Sequence, residues 1–453
     1  MKTLPSLPSL LSLILGSLLI LSAQAGSGVL DLTTLSNYAA QPIPTYITRT
    51  NTTAGNAITD KGATLGRVLF YDKRLSKDNT IACASCHQQA HAFGDPATAS
   101  TGVAGTTSRH AMRLVDARFS PEVKFFWDER AATLEAQTTQ PIQNHVEMGF
   151  SGTSGDQAFS ALITKLSAID EYRVLFMLTF GTTSITEARV QLALAQFVRS
   201  IQSFDSRFDT GQTATGDSRL PFPNFTAQEN NGKALFLNAP PGGAGCAGCH
   251  VPPEFGIDPN SRNNGVITQI GGGTDLTNTR SPSLRDLLNP LGVPNTTFMH
   301  DGSFATLAQV VNHYNLIPAD NTNLDPRLRR PGGQPQSLNL TQQQKHDLAA
   351  FLGTLTGTAV YTDARWSDPF NAQGQLTLIV LPANTITITK NASGTTAKIS
   401  CKAAPGLQYQ LSSSTDLIKW THVVTMSPNA SGVCEQNVTL SGTKYFRCAY
   451  PVP

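Results

Sequence analysis

Two copies of the pattern Cys-x-x-Cys-His carry the clearest chemistry in the chain. Two cysteines at this spacing can hold the two vinyl groups of one haem as thioethers, and the next histidine can bind its iron. The alternative is a zinc knuckle or a disulfide, because Cys-x-x-Cys is also the spacing of metal ligands and redox pairs. A zinc knuckle or a disulfide would explain neither the histidine after each second cysteine nor the wide separation of the two cysteine pairs. The sequence therefore predicts two covalent c-type haems, attached to Cys83, Cys86, Cys246 and Cys249, with His87 and His250 as iron ligands.

The first 25 residues predict a secretory signal peptide. They contain one lysine, a Leu/Ile/Ser run and the small-residue end Ala23-Gln24-Ala25. A membrane anchor is the alternative, but the apolar run from Leu10 to Leu21 is shorter than the ~20 residues that a spanning helix needs. We therefore expect a periplasmic or secreted protein that does not span the membrane, cleaved after Ala25.

Composition limits the remaining possibilities. A net charge of +2 with 14% charged residues argues against a nucleic-acid partner. The length predicts two or three domains. Three cysteines outside the haem motifs, Cys401, Cys434 and Cys448, allow one disulfide and one free thiol, and the sequence does not say which two pair.

Two helical domains are expected to position the motifs. Residues 26–60 predict an irregular surface segment, 61–216 a first haem domain and 217–360 a second. In the first domain, helices are predicted over about 156–180 and 184–204, the latter opened by a capping box from Ser184 to Glu187. In the second, a capping box at Thr226 starts the helix that precedes Cys246, and the last helix follows Thr341.

Beyond residue 360 the pattern changes to short β-branched runs separated by Gly, Pro, Asn and Ser. Residues 361–453 therefore predict a small all-β sandwich, with Ser441-Gly442 turning a hairpin and Trp420 in its core. This tail weakly resembles fibronectin-like tails of secreted bacterial proteins and predicts a surface-attachment module. The predicted fold class is thus mainly α, with two cytochrome c-like haem domains and a β-sandwich tail. The predicted strands lie at 376–381, 385–389, 397–401, 409–411 and 445–450.

The haem-bearing part, about residues 61–357, resembles the bacterial di-haem cytochrome c peroxidases and the related MauG enzymes. The shared features, in order, are the first haem motif followed by His91-Ala92-Phe93, then Phe126–Ala131, Val146–Gly149, the second haem motif and Phe298–Ser303.

Peroxide cleavage needs an iron with an open position and a group that carries a proton between the two oxygens. Glu147 is our candidate for that group, because it lies in a locally apolar segment and the matching family position is catalytic. The resemblance also implies that Gln137 and Pro141 line the same pocket and that Trp127 couples the two haems. Asp128 and Arg130 are expected to fix this segment by ion pairs or haem propionate contacts.

Two departures from the family pattern stand out. Glu129 replaces a usual glycine, which leaves the local backbone and charge in question. His110 replaces an asparagine in a segment associated with calcium between the domains. Histidine is a poorer calcium ligand than an oxygen donor, so calcium is kept only as a candidate cofactor.

The resemblance also bears on the remaining iron ligands. Val103 stands where many relatives carry a histidine that blocks the first haem, so we expect that iron to be five-coordinate. His91 and His110 are rival ligands there. For the second haem, Tyr314 matches the axial-ligand position, which is methionine in typical peroxidases and tyrosine in MauG. Met299 is the alternative.

The leading hypothesis is an exported peroxidase that reduces hydrogen peroxide with electrons from a small donor, a cytochrome c or a cupredoxin. The alternatives are a MauG-like oxidase that modifies a partner protein and a non-catalytic di-haem electron carrier. A homodimer is a candidate oligomeric state that the sequence does not establish.

Overall fold

The computed structural model describes residues 26–32, 34–379, 386–403, 408–429 and 433–449. The predicted signal peptide, residues 1–25, lies outside these ranges. Within them, no helix combines the length and apolar character needed to cross a membrane.

The described part of the chain is mostly helical with small sheets, as predicted for its main class. Its helices are short and joined by loops and 3-10 turns. They are α1 Asp60–Tyr71, α2 Cys83–Cys86, α3 Leu134–Thr138, α4 Phe159–Ser167, α5 Asp170–Phe180, α6 Glu187–Ser200, α7 Arg207–Thr215, α8 Ala227–Leu237, α9 Leu307–Asn315 and α10 Gln342–Gly353.

The first core is built on a close crossing of α1 and α6. A Cβ atom added at Gly66 would lie 2.0 Å from the carbonyl oxygen of Ala193, so the two backbones touch there. Phe70 packs against Phe197 beside the crossing, with ring centroids 5.1 Å apart. Both rings are fully buried, so this helix pair anchors the apolar core around the first haem motif.

The second core repeats this arrangement with α8 and α10. A Cβ atom at Gly232 would lie 1.9 Å from the carbonyl oxygen of Asp347. Phe236 and Phe351 pack across the pair with centroids 5.2 Å apart. This cluster of buried side chains is separate from the first one.

Helix ends confirm some sequence predictions and correct others. The capping box at Thr226 and the start of α10 after Thr341 are confirmed. The predicted helix over 156–180 is wrong: the chain breaks between α4 and α5 at Ala168 and Ile169, and the acidic pair Asp170-Glu171 opens the second helix.

The capping box predicted at Ser184 is also wrong. Thr186 is the N-cap of α6, and its hydroxyl accepts from the amide of Arg189. The helix consequently begins at Glu187 and ends at Ser200, inside the predicted 184–204 range.

Most strands lie near the C-terminus. Strands β8, β7 and β11 form one antiparallel sheet in the order β11-β8-β7, and β9 lies between β10 and β12 in another. Three two-stranded pairs complete the set. The strands are β1 Val29–Asp31, β2 Thr101–Gly102, β3 Gly105–Thr106, β4 His250–Val251, β5 Gly256–Ile257, β6 Thr377–Ile379, β7 Thr387–Lys390, β8 Thr396–Lys402, β9 Tyr409–Ser414, β10 Thr421–Met426, β11 Val433–Thr439 and β12 Tyr445–Ala449.

Three predictions for the tail need correction. The strand predicted at 376–381 pairs in parallel with β1 instead of joining the tail sheets, and residues 380–381 lie outside the described ranges. Ser441-Gly442 connects β11 to β12, which belong to different sheets, so it turns no hairpin. Trp420 is half-buried beneath the guanidinium of Arg447, 4.6 Å from the ring centroid, and lies outside the core.

The N-terminal segment, predicted as an irregular surface segment, is partly internal. Tyr38 is 1% exposed, and its hydroxyl donates to the carbonyl of Arg365 at 2.5 Å. The segment just after residue 361 packs on the first helices too, since the indole N–H of Trp366 donates to Ser200 Oγ at 3.2 Å.

Three cysteines meet in the tail. The sulfur atoms of Cys401 on β8 and Cys448 on β12 are in contact, which brings the two sheets together at this point. Cys434 lies directly opposite Cys401 in the β11–β8 register.

We therefore predict that Cys401 and Cys448 form the disulfide and that Cys434 stays a thiol. Non-reducing peptide mapping should find the 401–448 cross-link. Cys448→Ser should lower the free energy of unfolding of the tail by about 2–4 kcal/mol, because it removes a link between sheets. Cys434→Ser is the matched control and should keep the cross-link. A cross-linked peptide that contains Cys434 would contradict the assignment.

Candidate functional site

The first haem motif forms α2, a single helical turn. The chain then bends back through Ala92 and Phe93, whose φ angles are 52° and 58°. This bend places the carbonyl of Phe93 3.2 Å from Nδ1 of His87. A carbonyl only accepts, so Nδ1 carries the proton and Nε2 keeps a lone pair, which is the form of histidine that binds metals.

The second motif continues from a 3-10 turn, Cys246–Gly248, into β4. His250 has no hydrogen-bond partner for its buried Nδ1 among the described residues. Burial lowers the pKa of His250 to about 4, so its imidazole is neutral at neutral pH. A neutral imidazole is the state required of a metal ligand.

Each motif lines its own cavity. The cavity beside Cys246, Cys249 and His250 has a volume of about 430 Å³, and its walls are largely apolar. The cavity beside the first motif is smaller, about 70 Å³. Its apolar walls include Phe70 and Leu194. Paired cysteines, a metal-competent histidine and an apolar wall together fit a covalently held haem.

The zinc alternative finds no support in this arrangement. Across the described ranges, no group of three or more His, Cys, Asp or Glu side chains is placed to hold a metal ion. The two Cys-x-x-Cys pairs line different cavities and do not share a four-ligand site.

Glu147, Gln137 and Pro141 all line the cavity of the first motif, together with Cys83, Cys86 and His87. The structure thus brings the predicted carboxylate and amide to the predicted peroxide site. Burial raises the pKa of Glu147, and the charge of Arg130 offsets part of that rise. A carboxyl with a raised pKa is better matched to proton transfer near neutral pH than an ordinary surface glutamate.

The loop that carries Glu147 is held from both ends. Asn144 Oδ1 accepts the amides of Val146 and Glu147 at 2.8 and 3.2 Å. Further along, Asp156 accepts from Lys77 Nζ and from His145 Nδ1, both at 2.8 Å. These bonds hold the pKa of Asp156 well below its usual range, so the Asp156 carboxylate is ionised at neutral pH.

The residue predicted to replace a blocking histidine sits next to this loop. Val103 lies at the tip of the β2–β3 hairpin, and its amide donates to the carbonyl of Glu147 at 3.1 Å. Neither rival histidine lines the first cavity. His110 faces the second cavity instead, and its Nδ1 donates to the carbonyl of Thr98 at 3.1 Å.

Trp127 lines the second cavity and is absent from the lining of the first. Its indole N–H donates to the carbonyl of His110 at 2.7 Å. Its own carbonyl accepts the amides of Thr279 and Arg280 at 2.9 and 3.0 Å. The ring also meets His300 edge-on, with centroids 6.2 Å apart. The tryptophan is thus fixed between the part of the chain around the α1–α6 pair, the first helical part, and the part around the α8–α10 pair, the second helical part.

Ion pairs fix the neighbouring residues, as expected for Asp128 and Arg130. Asp128 accepts from Arg130 at 2.9 Å and from Arg109 at 2.5 Å, and Arg109 also binds Asp275 at 2.7 Å. Burial alone would raise the pKa of Asp128, but hydrogen bonds and charge from Arg109 and Arg130 lower it. Asp128 therefore stays ionised. Through Arg109 and Asp275 it links the segment around Trp127 to the second helical part.

Both candidate ligands for the second haem line the second cavity. Met299 Sδ and Tyr314 Oη lie 3.3 Å from the same atom, Nδ2 of Asn264. Burial raises the pKa of Tyr314. This contact of Asn264 with both candidate ligands is not evident from the sequence, because Asn264 lies in the turn sequence Arg262-Asn-Asn-Gly265 and matches no ligand motif.

Comparison with known proteins agrees with this geometry. A family model described as di-haem cytochrome c peroxidase matches residues 60–218. Methylamine utilization protein MauG of Methylophilus methylotrophus is 30% identical over 325 residues, which are 68% of this chain and 86% of that protein. The chain belongs to the di-haem cytochrome c peroxidase and MauG family.

Two further matches place the chain within the family. Cytochrome c551 peroxidase of Nitrosomonas europaea is 29% identical over 372 residues, which are 77% of this chain and 90% of that protein. The crystal structure of a MauG-like protein associated with microbial copper homeostasis is 28% identical, covers 73% of this chain and 99% of its own, and has a TM-score of 0.58. The chain is therefore an oxidoreductase of the cytochrome c peroxidase type, and family membership implies haem as its cofactor.

Glu129, where the family usually has glycine, adopts the backbone that glycine favours. Its φ angle is 57°, in the left-handed region that costs an L-residue roughly 1–2 kcal/mol. Its carboxylate in turn accepts from the hydroxyl of Thr279 at 2.6 Å and faces Lys124 at 3.5 Å. The substitution therefore trades backbone strain for an added contact between the Trp127 loop and the second helical part.

We predict that Glu129→Ala destabilises the protein more than Glu129→Gly, by about 1 kcal/mol, because alanine keeps the backbone strain and glycine releases it. Both variants lose the same side-chain contacts. Denaturant unfolding of the haem-loaded protein measures the difference. Thr279→Val is the matched control, since it removes the hydrogen bond without changing residue 129. Equal stabilities of the Ala and Gly variants would show that the backbone there is unstrained.

Proposed function

We propose that the chain reduces hydrogen peroxide to water with electrons from a small donor protein, a cytochrome c or a cupredoxin. The observation that carries the proposal is the presence of Glu147 and Gln137 in the cavity of the first haem motif. A pure electron carrier would have no use for a half-buried carboxyl with a raised pKa at that position.

The residues that would hold the cofactors follow from the two cavities. Cys83 and Cys86 would attach one haem with His87 on its iron, and Cys246, Cys249 and His250 would hold the other. When bound, haem supplies an iron with a vacant position for peroxide and a store of electrons for breaking the O–O bond.

Glu147 would move the proton. It would accept a proton from one peroxide oxygen and return it to the other, so that the departing oxygen leaves as water. The complete reaction consumes one peroxide, two electrons and two protons, and releases two waters. Gln137, in the same wall, would orient the peroxide by a hydrogen bond.

Electrons would enter at the second haem and reach the first by way of Trp127. Two sets of hydrogen bonds support this role: the indole N–H of Trp127 donates to the carbonyl of His110, and the carbonyl of Trp127 accepts the amides of Thr279 and Arg280. They hold the indole in one position between the two helical parts.

A MauG-like oxidase acting on a partner protein is the second candidate. Tyr314 favours it, because the family position it occupies is tyrosine in MauG and methionine in typical peroxidases. The two functions share the site around Glu147 and differ in the ligand of the second haem.

We further propose residues 61–216 and 217–360 as two cytochrome c-like haem domains and 361–453 as a β-sandwich tail for surface attachment. We also propose that the chain is exported through a signal peptide cleaved after Ala25 and that it forms a homodimer. Calcium has weaker support, since the His110 imidazole is engaged with Thr98 and its carbonyl with Trp127.

Glu147→Gln should leave both haems attached and lower peroxide turnover about a hundredfold to ten-thousandfold, because it removes the proton carrier and keeps the shape of the pocket. Glu147→Asp is the matched variant; it keeps a carboxyl and should retain more activity. In the parent protein kcat/KM should fall as pH drops through the raised pKa of Glu147, because the protonated acid accepts no proton. Near-normal turnover of Glu147→Gln, measured with reduced cytochrome at saturating peroxide, would refute the assignment.

The haem of the first motif should be five-coordinate without prior reduction, because Val103 cannot bind iron and His87 is the one histidine among the described residues that line this cavity. Electron paramagnetic resonance of the fully oxidised protein should show a high-spin ferric component. Val103→His restores the ligand type of the family and should diminish that component. A parent protein with two low-spin haems would contradict the prediction, and Met148, in the same wall, would then be the ligand to test.

A further inference from the structure

The carboxamide of Asn264 is held in one orientation. Its Oδ1 accepts the amide of Val266 at 3.0 Å, which identifies the oxygen and leaves Nδ2 as the free donor. The main chain at this residue is fixed as well, since its carbonyl lies 2.8 Å from Nε2 of His313. Nδ2 therefore faces the second cavity because the local backbone requires it.

This one nitrogen contacts both side chains that could complete the coordination of the second haem. Tyr314 Oη and Met299 Sδ each lie 3.3 Å from it. The amide has two hydrogens, so it can donate to both atoms at once. The contacts are nevertheless unequal in strength.

A hydrogen bond strengthens about twofold when its acceptor carries charge, and a thioether sulfur is a weak acceptor in any state. A phenol oxygen gains negative charge when it binds a cation such as ferric iron. Asn264 consequently stabilises the state in which Tyr314 is the ligand more than the state in which Met299 is the ligand. Only such a difference between two states can bias one against the other.

We propose that Asn264 is a positioning residue that selects Tyr314 over Met299 as the sixth ligand of the haem held by His250. The inference rests on the proposed function in one respect, namely that this cavity binds haem. It adds the group that decides between the two ligands and thereby sets the potential of this haem, since methionine ligation raises the potential.

The test is magnetic circular dichroism of the oxidised two-haem protein, with redox titration of the second haem. The parent should lack the methionine-to-iron charge-transfer band. Asn264→Leu keeps a similar shape without the donor, so the band should appear and the midpoint potential should rise. Asn264→Asp replaces the donor by an acceptor oxygen, so the band should appear in this variant too, and it carries the test if the Leu variant does not fold. Adding Met299→Leu to either variant should abolish the band.

Gln336→Leu is the matched control. Gln336 Nε2 donates to the main-chain carbonyl of Tyr314 at 2.6 Å, so this variant removes an amide next to the tyrosine without touching its hydroxyl. Its spectrum should equal that of the parent. A methionine band in the parent, or parent-like spectra of both Asn264 variants, would overturn the selection by Asn264. A haem count below two per chain would overturn the proposed function together with this inference, so the two failures are distinguishable.

Discussion

Each haem cavity depends on one helix crossing at which two backbones touch. At Gly66 and Gly232 the space that a Cβ atom would need is filled by a carbonyl oxygen of the opposite helix. The same helices supply cavity walls, Leu194 and Val198 in one case and Leu348 and Leu352 in the other. Any larger residue at either glycine would separate the helices and displace the walls, because a packed interior transmits a change of one methyl group. Gly66 and Gly232 thus set how closely the helices that carry these wall residues approach their partner helices.

At Trp127 the two helical parts are joined by hydrogen bonds to main-chain groups. Trp127 receives amides from one side and donates its indole to a carbonyl on the other. Main-chain amides and carbonyls are present whatever side chains surround them, so the path of the backbone determines the position of the indole. The ion pairs of Arg109 lie around this joint, partly open to solvent, and screening by water limits what they contribute.

How far the sequence predicts the molecule depends on the range of the interaction. The helix starts at Thr226 and Thr341 are local patterns, and both are predicted correctly. The break between α4 and α5 was missed because the apolar pattern continues across it. Other features arise from contacts between distant segments, which no local pattern encodes. They are the pairing of β6 with β1, the connection of two different sheets through Ser441-Gly442, and the position of His110 in the second cavity. Asn264 was missed for the same reason.

The pairing of β1 with β6 has a consequence for the order in which the molecule is completed. Val29–Asp31 pairs with Thr377–Ile379, and Tyr38 bonds to Arg365 across 327 residues of sequence. A chain made from its N-terminus can form both helical cores before either contact exists. Its first segment therefore stays unpaired until more than four-fifths of the protein has been made. Until then Tyr38, which is buried in the finished fold, is exposed to water. Closure of this strand pair therefore requires that the segments carrying both haem motifs are already present in the compartment where the chain folds.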